Sequence, residues 1–334
     1  MQQLLRPVKQ YFKAALHTHS TVSDGRLTPQ EVKEAYKARG YHILALTDHN
    51  IAADHSAMNE SGFLMLTGVE INTDQTNANS RSKTCHLNLI AKRPELVWQP
   101  FAPTYLSEEG RTWLPKAEVD SLPNDYSPET INALIAEANR QGYLVFFNHP
   151  EWSLQDYTDY APLKGLWGME LVNYSCQVCG FNDRDNSIVY RDMTNLGSRL
   201  VPLGTDDCHS LRDLGGAWAM IGAEKLEYAS VIEAMERGDV YASTGPEIYS
   251  VTLDGDTLQV RCSDARYITV ESSNRFAWCA RPTHNDGLLR EGTFRISAWQ
   301  KTAVATPNDW IRIVVHGPYG HFAATRAYFR DELE

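Results

Sequence analysis

The chain has 334 residues, 43% of them apolar and 22% charged, with 15 prolines and 21 glycines; that composition predicts packed cores in a large domain plus a smaller one and excludes wholesale disorder. A formal net charge of −11 argues against long nucleic acid or an acidic membrane surface as partner, since both call for a positive face. The opening MQQLLRPVKQYFKAALH lacks the apolar stretch of a signal peptide and no run of about 18 apolar residues follows, so a cytoplasmic protein without a membrane partner is expected.

Apolar runs ending in polar tips predict strands at Phe12–His17, Tyr41–Thr47, Phe63–Val69, Leu87–Ala91, Tyr143–Phe147, Met169–Val172 and Leu200–Leu203. Between the first two, Thr28-Pro29-Gln30-Glu31 reads as a capping box opening a helix that Gly40 stops. Ser127-Pro128 opens another, in which Ile131, Leu134, Ile135 and Ala138 keep helical spacing up to Gly142. Alternating strands and helices predict a mainly parallel sheet with crossovers, either a barrel or doubly wound. Residues 92–126 break this rhythm with five prolines and the aromatics Trp98, Phe101, Tyr105 and Trp113. They read as a lid or specificity insert, or as an excursion packed on the barrel. After Ser243-Thr244-Gly245-Pro246, short alternating runs at Leu258–Cys262, Tyr267–Glu271, Thr293–Ala298 and Trp310–Val315 predict a small antiparallel β-sandwich over 247–334, following a domain at 1–246.

The polar tips carry the chemistry. His17-Thr18-His19 ends the first run, and on a strand residues i and i+2 share a face, so both imidazoles can reach one ion. Asp24, then His49 in Thr47-Asp48-His49 and Glu70 in Gly68-Val69-Glu70, follow in order, while His86 opens its run instead of ending it. His149 comes in Asn148-His149-Pro150, and Asp207 and His209 in Thr205-Asp206-Asp207-Cys208-His209. In parallel α/β barrels catalytic groups collect where strands end, because the loops there share one mouth. A lone buried histidine is more often a hydrogen-bonded core residue. Six of eleven histidines at strand ends, interleaved with three carboxylates, point to metal ligation. His42, His55, His284, His316 and His321 keep a structural or surface reading, with His55 the one to check for a supporting or substrate role. Cys176-x-x-Cys179 has no second pair to complete a zinc site and reads as two ordinary thiols near the cluster.

The series HTHS, SDG, TDH, GVE, H-x-N-L, NHP and DCH, over roughly residues 12–245, resembles the PHP (polymerase and histidinol phosphatase) superfamily. The resemblance implies a distorted (β/α)7 barrel with a site for two to three divalent metals. By position His17, His19, Glu70 and Asp207 would hold the first metal, and Glu70 would bridge to a second held by His86 and His149. Asp24, His49 and His209 would hold the third. Asp207 is preferred to Asp206 because the family pattern is D-x-H, which leaves the role of Asp206 open. The amidohydrolase barrel also begins with H-x-H, but its bridging lysine has no counterpart at a strand end here, and Asp24, His49 and Glu70 have no place in it.

Mixed imidazole and carboxylate ligands suit Zn, Mn or Fe. The expected function is a phosphoesterase hydrolysing a small phosphate ester, such as a sugar phosphate or nucleotide, by metal-activated hydroxide, with Glu70, Asp207 and His149 catalytic. Two features favour a carbamate or carboxyl-ester hydrolase instead. Glu151-Trp152-Ser153 stands where phosphatase-like relatives often carry a basic residue, and Tyr241–Pro246 with the appended β-domain resembles a carbaryl-hydrolase-like branch. A metal-binding protein without turnover is a third reading, and a homo-oligomer is left open. Arg81, Lys83, Arg184, Arg191 and Arg212 are the candidate phosphate-binding cations, whereas neutral esters would favour the aromatics around Trp98–Trp113 and Trp152.

Overall fold

Seven strands carry the polar tips: β2 (Phe12–Ala15), β3 (Ile43–Leu46), β4 (Leu64–Asp74), β5 (Thr84–Ala91), β6 (Tyr143–Phe147), β7 (Gly168–Asn173) and β8 (Val201–Thr205), after a short β1 (Gln2–Leu5). The computed structural model describes residues 1–6, 8–75, 82–101, 108, 112, 122–284, 287–302 and 306–333. The strands β2 to β8 are hydrogen-bonded in sequence order. Beyond their tips a parallel bridge between Thr18 and Cys208 joins the first strand's exit to the last's. The bonds Asp207 N–H to His17 O (3.0 Å) and His19 N–H to Cys208 O (3.0 Å) close the ring at its mouth. Away from the mouth the ring is distorted, because β9 (Trp218–Ile221) takes the free edge of β2 antiparallel.

Local sequence explains the crossovers. α1 (Pro29–Lys37) starts at the capping box, with the Thr28 hydroxyl accepting from Glu31 N–H and the Glu31 carboxylate accepting from Thr28 N–H, and it buries Val32 and Tyr36. α2 (Pro128–Gln141) is capped by Ser127 and ends on Gly142 at φ 102°, a conformation that favours glycine. α3 (Tyr157–Tyr160), α4 (Tyr174–Val178), α5 (Ser187–Asn195) and α6 (Tyr228–Arg237) follow. The pairs β2–β3, β3–β4, β6–β7 and β7–β8 are parallel, as expected, but β5 runs antiparallel to both β4 and β6. The stretch from Asp74 to Thr84 is too short for a crossover helix, so β4 and β5 pair as a hairpin.

Beyond β9 the same sheet continues through β10 (Val240–Ser243), then β17 (Phe322–Thr325), β16 (Trp310–His316), β13 (Tyr267–Ser272) and β14 (Trp278–Ala280), with β18 (Tyr328–Phe329) on β16. A four-stranded sheet, β1-β11-β12-β15, is formed with β11 (Ile248–Asp254), β12 (Thr257–Ala265) and β15 (Leu289–Arg295). The two sheets share a core that includes Leu5, Val251, Val260, Ile268, Val270 and Ile313. The chain's first strand therefore pairs within the C-terminal layers. The strand expected at Thr293–Ala298 stops at Arg295, and Ser297–Gln300 forms a short helix, α7. Ile296 leaves the extended region (φ −99°, ψ 9°), and the turn buries Trp299 in the shared core. Of the expected lid, residues 102–107, 109–111 and 113–121 lie outside the described residues. Among the described residues no helix is long and apolar enough to cross a membrane.

Candidate metal centre

All nine side chains singled out in the sequence converge at the barrel mouth. His17 and His19 follow β2, His49 follows β3, His149 follows β6, and Asp207 and His209 follow β8. Glu70 lies within β4, which runs on past the mouth. His86 joins from the beginning of β5, and the antiparallel course of that strand explains why this histidine opens its run. Asp207 adopts φ 50°, in the left-handed region that Asp and Asn tolerate better than most residues.

Glu70 sits at the centre. Its Oε2 lies 3.2 Å from His17 Nε2, from His19 Nε2 and from His49 Nδ1, and its Oε1 lies 2.9 Å from His86 Nδ1 and 3.4 Å from His149 Nε2. Asp207 Oδ1 lies 3.1 Å from His17 Nε2 and 3.0 Å from His19 Nε2. At the lip Asp24 is 3.5 Å from His209, 3.7 Å from His19 and 3.7 Å from His49. Four groups result whose ligand atoms all lie within 4.8 Å of one another: His17-His19-Glu70-Asp207, His49-Glu70-His86, His19-Asp24-His49-His209 and His17-His149-Glu170. An ion held tetrahedrally at about 2.0–2.1 Å separates its ligand atoms by about 3.3–3.4 Å, so these spacings fit the edges of coordination shells. The Nε2 atoms of His17 and His19 face each other at 3.2 Å, and the buried His19 Nδ1 has no hydrogen-bond partner among the described residues. Neither feature suits imidazoles placed only for packing, and both suit ligands turned toward a cation.

Titration behaviour follows from this crowding. Burial alone would lower the His19 imidazole, but Asp207 and Glu70 outweigh it and hold the group up at about 10. Burial would raise the Glu70 carboxyl, yet His17, His49 and His86 hold it well below the usual carboxylate range. His49, where burial dominates and His19 and His86 repel a proton, is pushed down to about 3.

Several supporting residues escaped the sequence reading. Glu170, fully buried on β7, accepts from His17 Nδ1–H at 2.6 Å and so turns Nε2 toward the cluster. It is itself fixed by His149 N–H (2.9 Å), the Thr205 hydroxyl (2.7 Å) and Asn173 Nδ2 (2.9 Å). A carboxylate inside the apolar run Gly168-Met169-Glu170-Leu171-Val172 was the available signal. Asn148 donates to Glu70 Oε1 at 2.7 Å, and His149 Nδ1 lies 3.1 Å from the Ser153 hydroxyl. Asp48 ties the SDG loop down by accepting from Ser20 N–H (2.8 Å) and the Ser23 hydroxyl (2.7 Å). Asp206 faces away from the cluster and accepts from the backbone N–H groups of Gly215, Gly216 and Ala217 at 2.7–3.1 Å, which makes it a loop anchor. His55 is buried in the loop after β3 and does not line the cleft.

The mouth opens into a cleft of about 450 Å³ lined by every member of the cluster except His17 and His19, together with Trp152, Cys176, Cys179 and Arg212. Of the candidate cations, Arg212 alone among the described residues reaches this cleft, its Nε held 3.2 Å from Asp213. Lys83 is engaged by Asp156 (2.8 Å) and Asp159 (2.6 Å). Arg184 lines a different cleft and Arg191 is exposed on α5, while Arg81 lies outside the described residues. The Trp152 ring packs edge-on to His149 and His86, with centroids 4.9 and 5.3 Å away. Trp98 is buried, donating through its backbone N–H to the Tyr143 hydroxyl (2.9 Å), and does not line the cleft. All six cysteines are free.

Comparison with known proteins gives one domain match and two local likenesses. Residues 15–149 match the PHP domain. A stretch of 66 residues is 44% identical to the 5′-3′ exoribonuclease of Haemophilus influenzae, covering 19% of this chain and 24% of that protein. Over 60 residues the chain is 45% identical to the 3′,5′-nucleoside bisphosphate phosphatase of Chromobacterium violaceum, covering 17% and 21% respectively. The chain thus spans about a quarter or less of the length of these curated relatives. Among solved structures, a two-domain Bacteroides vulgatus protein containing a predicted PHP-like metal-dependent phosphoesterase matches over 98% of both chains, with 15% identity and a TM-score of 0.42.

Proposed function

We propose, from the match of residues 15–149 to the PHP domain, that the chain is a metal-dependent phosphoesterase acting on a small phosphate ester, a nucleotide or a sugar phosphate. The observation that carries the reading is Glu70, one buried carboxylate in contact with five imidazoles at a single mouth. His17, His19, Glu70 and Asp207 would hold one ion, Glu70 would bridge to a second with His86 and His149, and His19, Asp24, His49 and His209 border a third position. The donor set suits two to three ions of Zn, Mn or Fe. Ions bound there would acidify a water toward neutrality and offset the charge of the phosphate.

The chain's own residues then divide the remaining work. Glu170 fixes the ring of His17 and, through its bond to the His149 backbone, the start of the loop after β6. Asp24 and His209, the most exposed of the nine, mark the side from which a substrate enters. Arg212 adds a fixed positive charge at the rim, in reach of phosphate oxygens arriving over that lip. Trp152 supplies an apolar wall for the rest of the substrate. A neutral carbamate or ester has no use for that guanidinium, so Arg212 favours the phosphate reading over its alternative.

The test is a panel of phosphate monoesters, carboxyl esters and carbamates given to protein loaded with Mn or Zn. Phosphate esters should be the fastest class, and Arg212→Ala should raise KM for them roughly tenfold, about 1.4 kcal/mol of lost binding. Faster turnover of carbamates, with an indifferent Arg212→Ala, would replace this reading with the ester one.

A further inference from the structure

A second cleft lies across α4 from the metal centre. Tyr174 and Gln177, on one face of α4, line it, while Ser175, Cys176 and Cys179 on the other face line the metal cleft. It measures about 810 Å³ and runs from Gly215 and Trp218 onto the C-terminal strands. There it meets a neighbouring pocket of about 440 Å³, with which it shares Tyr267, His316 and the turn Tyr319-Gly320-His321. Nothing in the phosphoesterase reading uses either of them.

The chemistry of the walls is specific. Three guanidinium groups, Arg184, Arg266 and Arg281, border the joined clefts, and among the described residues none has an ion-pair partner. In a chain of net charge −11, three arginines without ion-pair partners outnumber the two acids on the same walls and form a local positive field. The two acids on the same walls are already engaged. Glu271 pairs with Arg312 at 2.6 Å, and Asp185 accepts from Ser187 N–H at 3.1 Å. Flat rings complete the lining. Arg281 lies over the Tyr267 ring at 4.9 Å, and Tyr267 stacks on His316 at 4.1 Å with the planes 17° apart. Burial holds the His316 imidazole below its ordinary value, so at neutral pH it serves as a neutral stacking surface. Beside this stack Tyr319 is 96% exposed and is held at φ 59°, a conformation costly for an aromatic residue.

Guanidinium groups without carboxylate partners recognise phosphate, and an uncovered tyrosine ring recognises the face of a base. We propose that this second cleft binds a nucleotide moiety, with the base against Tyr319 and the phosphate held by Arg266 and Arg281. The moiety is either a free mononucleotide or the end of a single strand, and the two share this chemistry. The site stands apart from the metal chemistry, so it can be tested with the metal centre silent.

The experiment is calorimetric titration of the full chain in excess chelator with AMP, adenosine, inorganic phosphate and hexa-adenylate. AMP should bind, with adenosine and phosphate alone each roughly tenfold weaker or worse. Arg266→Ala, Arg281→Ala and Tyr319→Ala should each weaken AMP binding by roughly tenfold. All three side chains are on the surface, so circular dichroism should show the fold intact. Arg191→Ala, exposed on α5 and outside both clefts, should leave the affinity unchanged. Tighter binding of hexa-adenylate than of AMP would identify a strand as the ligand, and equal binding a mononucleotide. The proposal is overturned if AMP binds no better than phosphate, or if its affinity is indifferent to all three cleft substitutions.

Discussion

Replacing Glu70 by glutamine changes one atom at the point where the cluster is most crowded. The amide keeps the volume of the side chain, so no cavity opens. Asn148 Nδ2 donates to Oε1 at 2.7 Å, which keeps an acceptor at that position. The new NH2 group must then take the place of Oε2, 3.2 Å from each of three imidazole nitrogens. A donor there cannot ligate a cation, and the bridging charge is gone. Losing even a residue that only supports a ligand costs about 10–100-fold in metal affinity, so a lost bridging ligand should cost at least about 100-fold, about 2.8 kcal/mol. At free metal of about 100 times the wild-type Kd, wild type gains about 2.7 kcal/mol of stability from binding. The variant, with Kd near the metal concentration, gains only about 0.4 kcal/mol. Elemental analysis after dialysis, with denaturant melts plus and minus chelator, reads both quantities. Glu70→Gln with wild-type metal stoichiometry and wild-type stabilisation would refute the bridging role.

Three further outcomes are expected. Glu170→Gln should leave the fold intact but weaken metal binding by about 10–100-fold, because His17 loses the partner that sets its orientation; unchanged affinity by competition with a fluorescent chelator would count against this. In metal-free protein the raised His19 imidazole contributes stability fully present below its ordinary 6.5 and lost as pH rises through about 10, so the Tm should fall over that range. With metal bound the ligand imidazoles are already deprotonated and the Tm should hold, so identical pH profiles with and without metal would contradict the assignment. A chain ending after Pro246 strips β17 from β10 and opens the core around Leu5 and Tyr241, so it should aggregate on expression; a soluble, cooperatively melting product would show that the layers are independent.

The seven strand runs and the helices α1 and α2 were legible because each carries its own signal: an apolar run closed by a polar tip, or a capping residue followed by regular spacing. The cluster was legible for the same reason, since its members mark strand ends in the sequence. Glu170 was hidden because its partner is 153 positions away, and an acid inside an apolar run does not by itself name that partner. Asp206 was ambiguous beside Asp207 until the backbone donors of residues 215–217 gave it a separate task. The Arg-Tyr-His stack assembles from β13, β16 and the segment after β14. Pairing between strands so far apart in the chain has no local signature. His316 accordingly read as an ordinary surface or structural residue.

The reversed course of β5 bears on how such a site could be altered. Because β4 leaves the mouth and β5 returns to it, the connection between them begins and ends at the rim, with Gln75 N–H bonded to Lys83 O at 2.9 Å. Below that clasp the register Asn72–His86 and Glu70–Asn88 holds Glu70 and His86 of the cluster in place. Grafting segments of different length and charge between Gln75 and Lys83 would alter the rim beside Asp74 and Thr84, which line the cleft, while the paired strands keep Glu70 and His86 in register, so what the cleft admits could change without rebuilding the cluster.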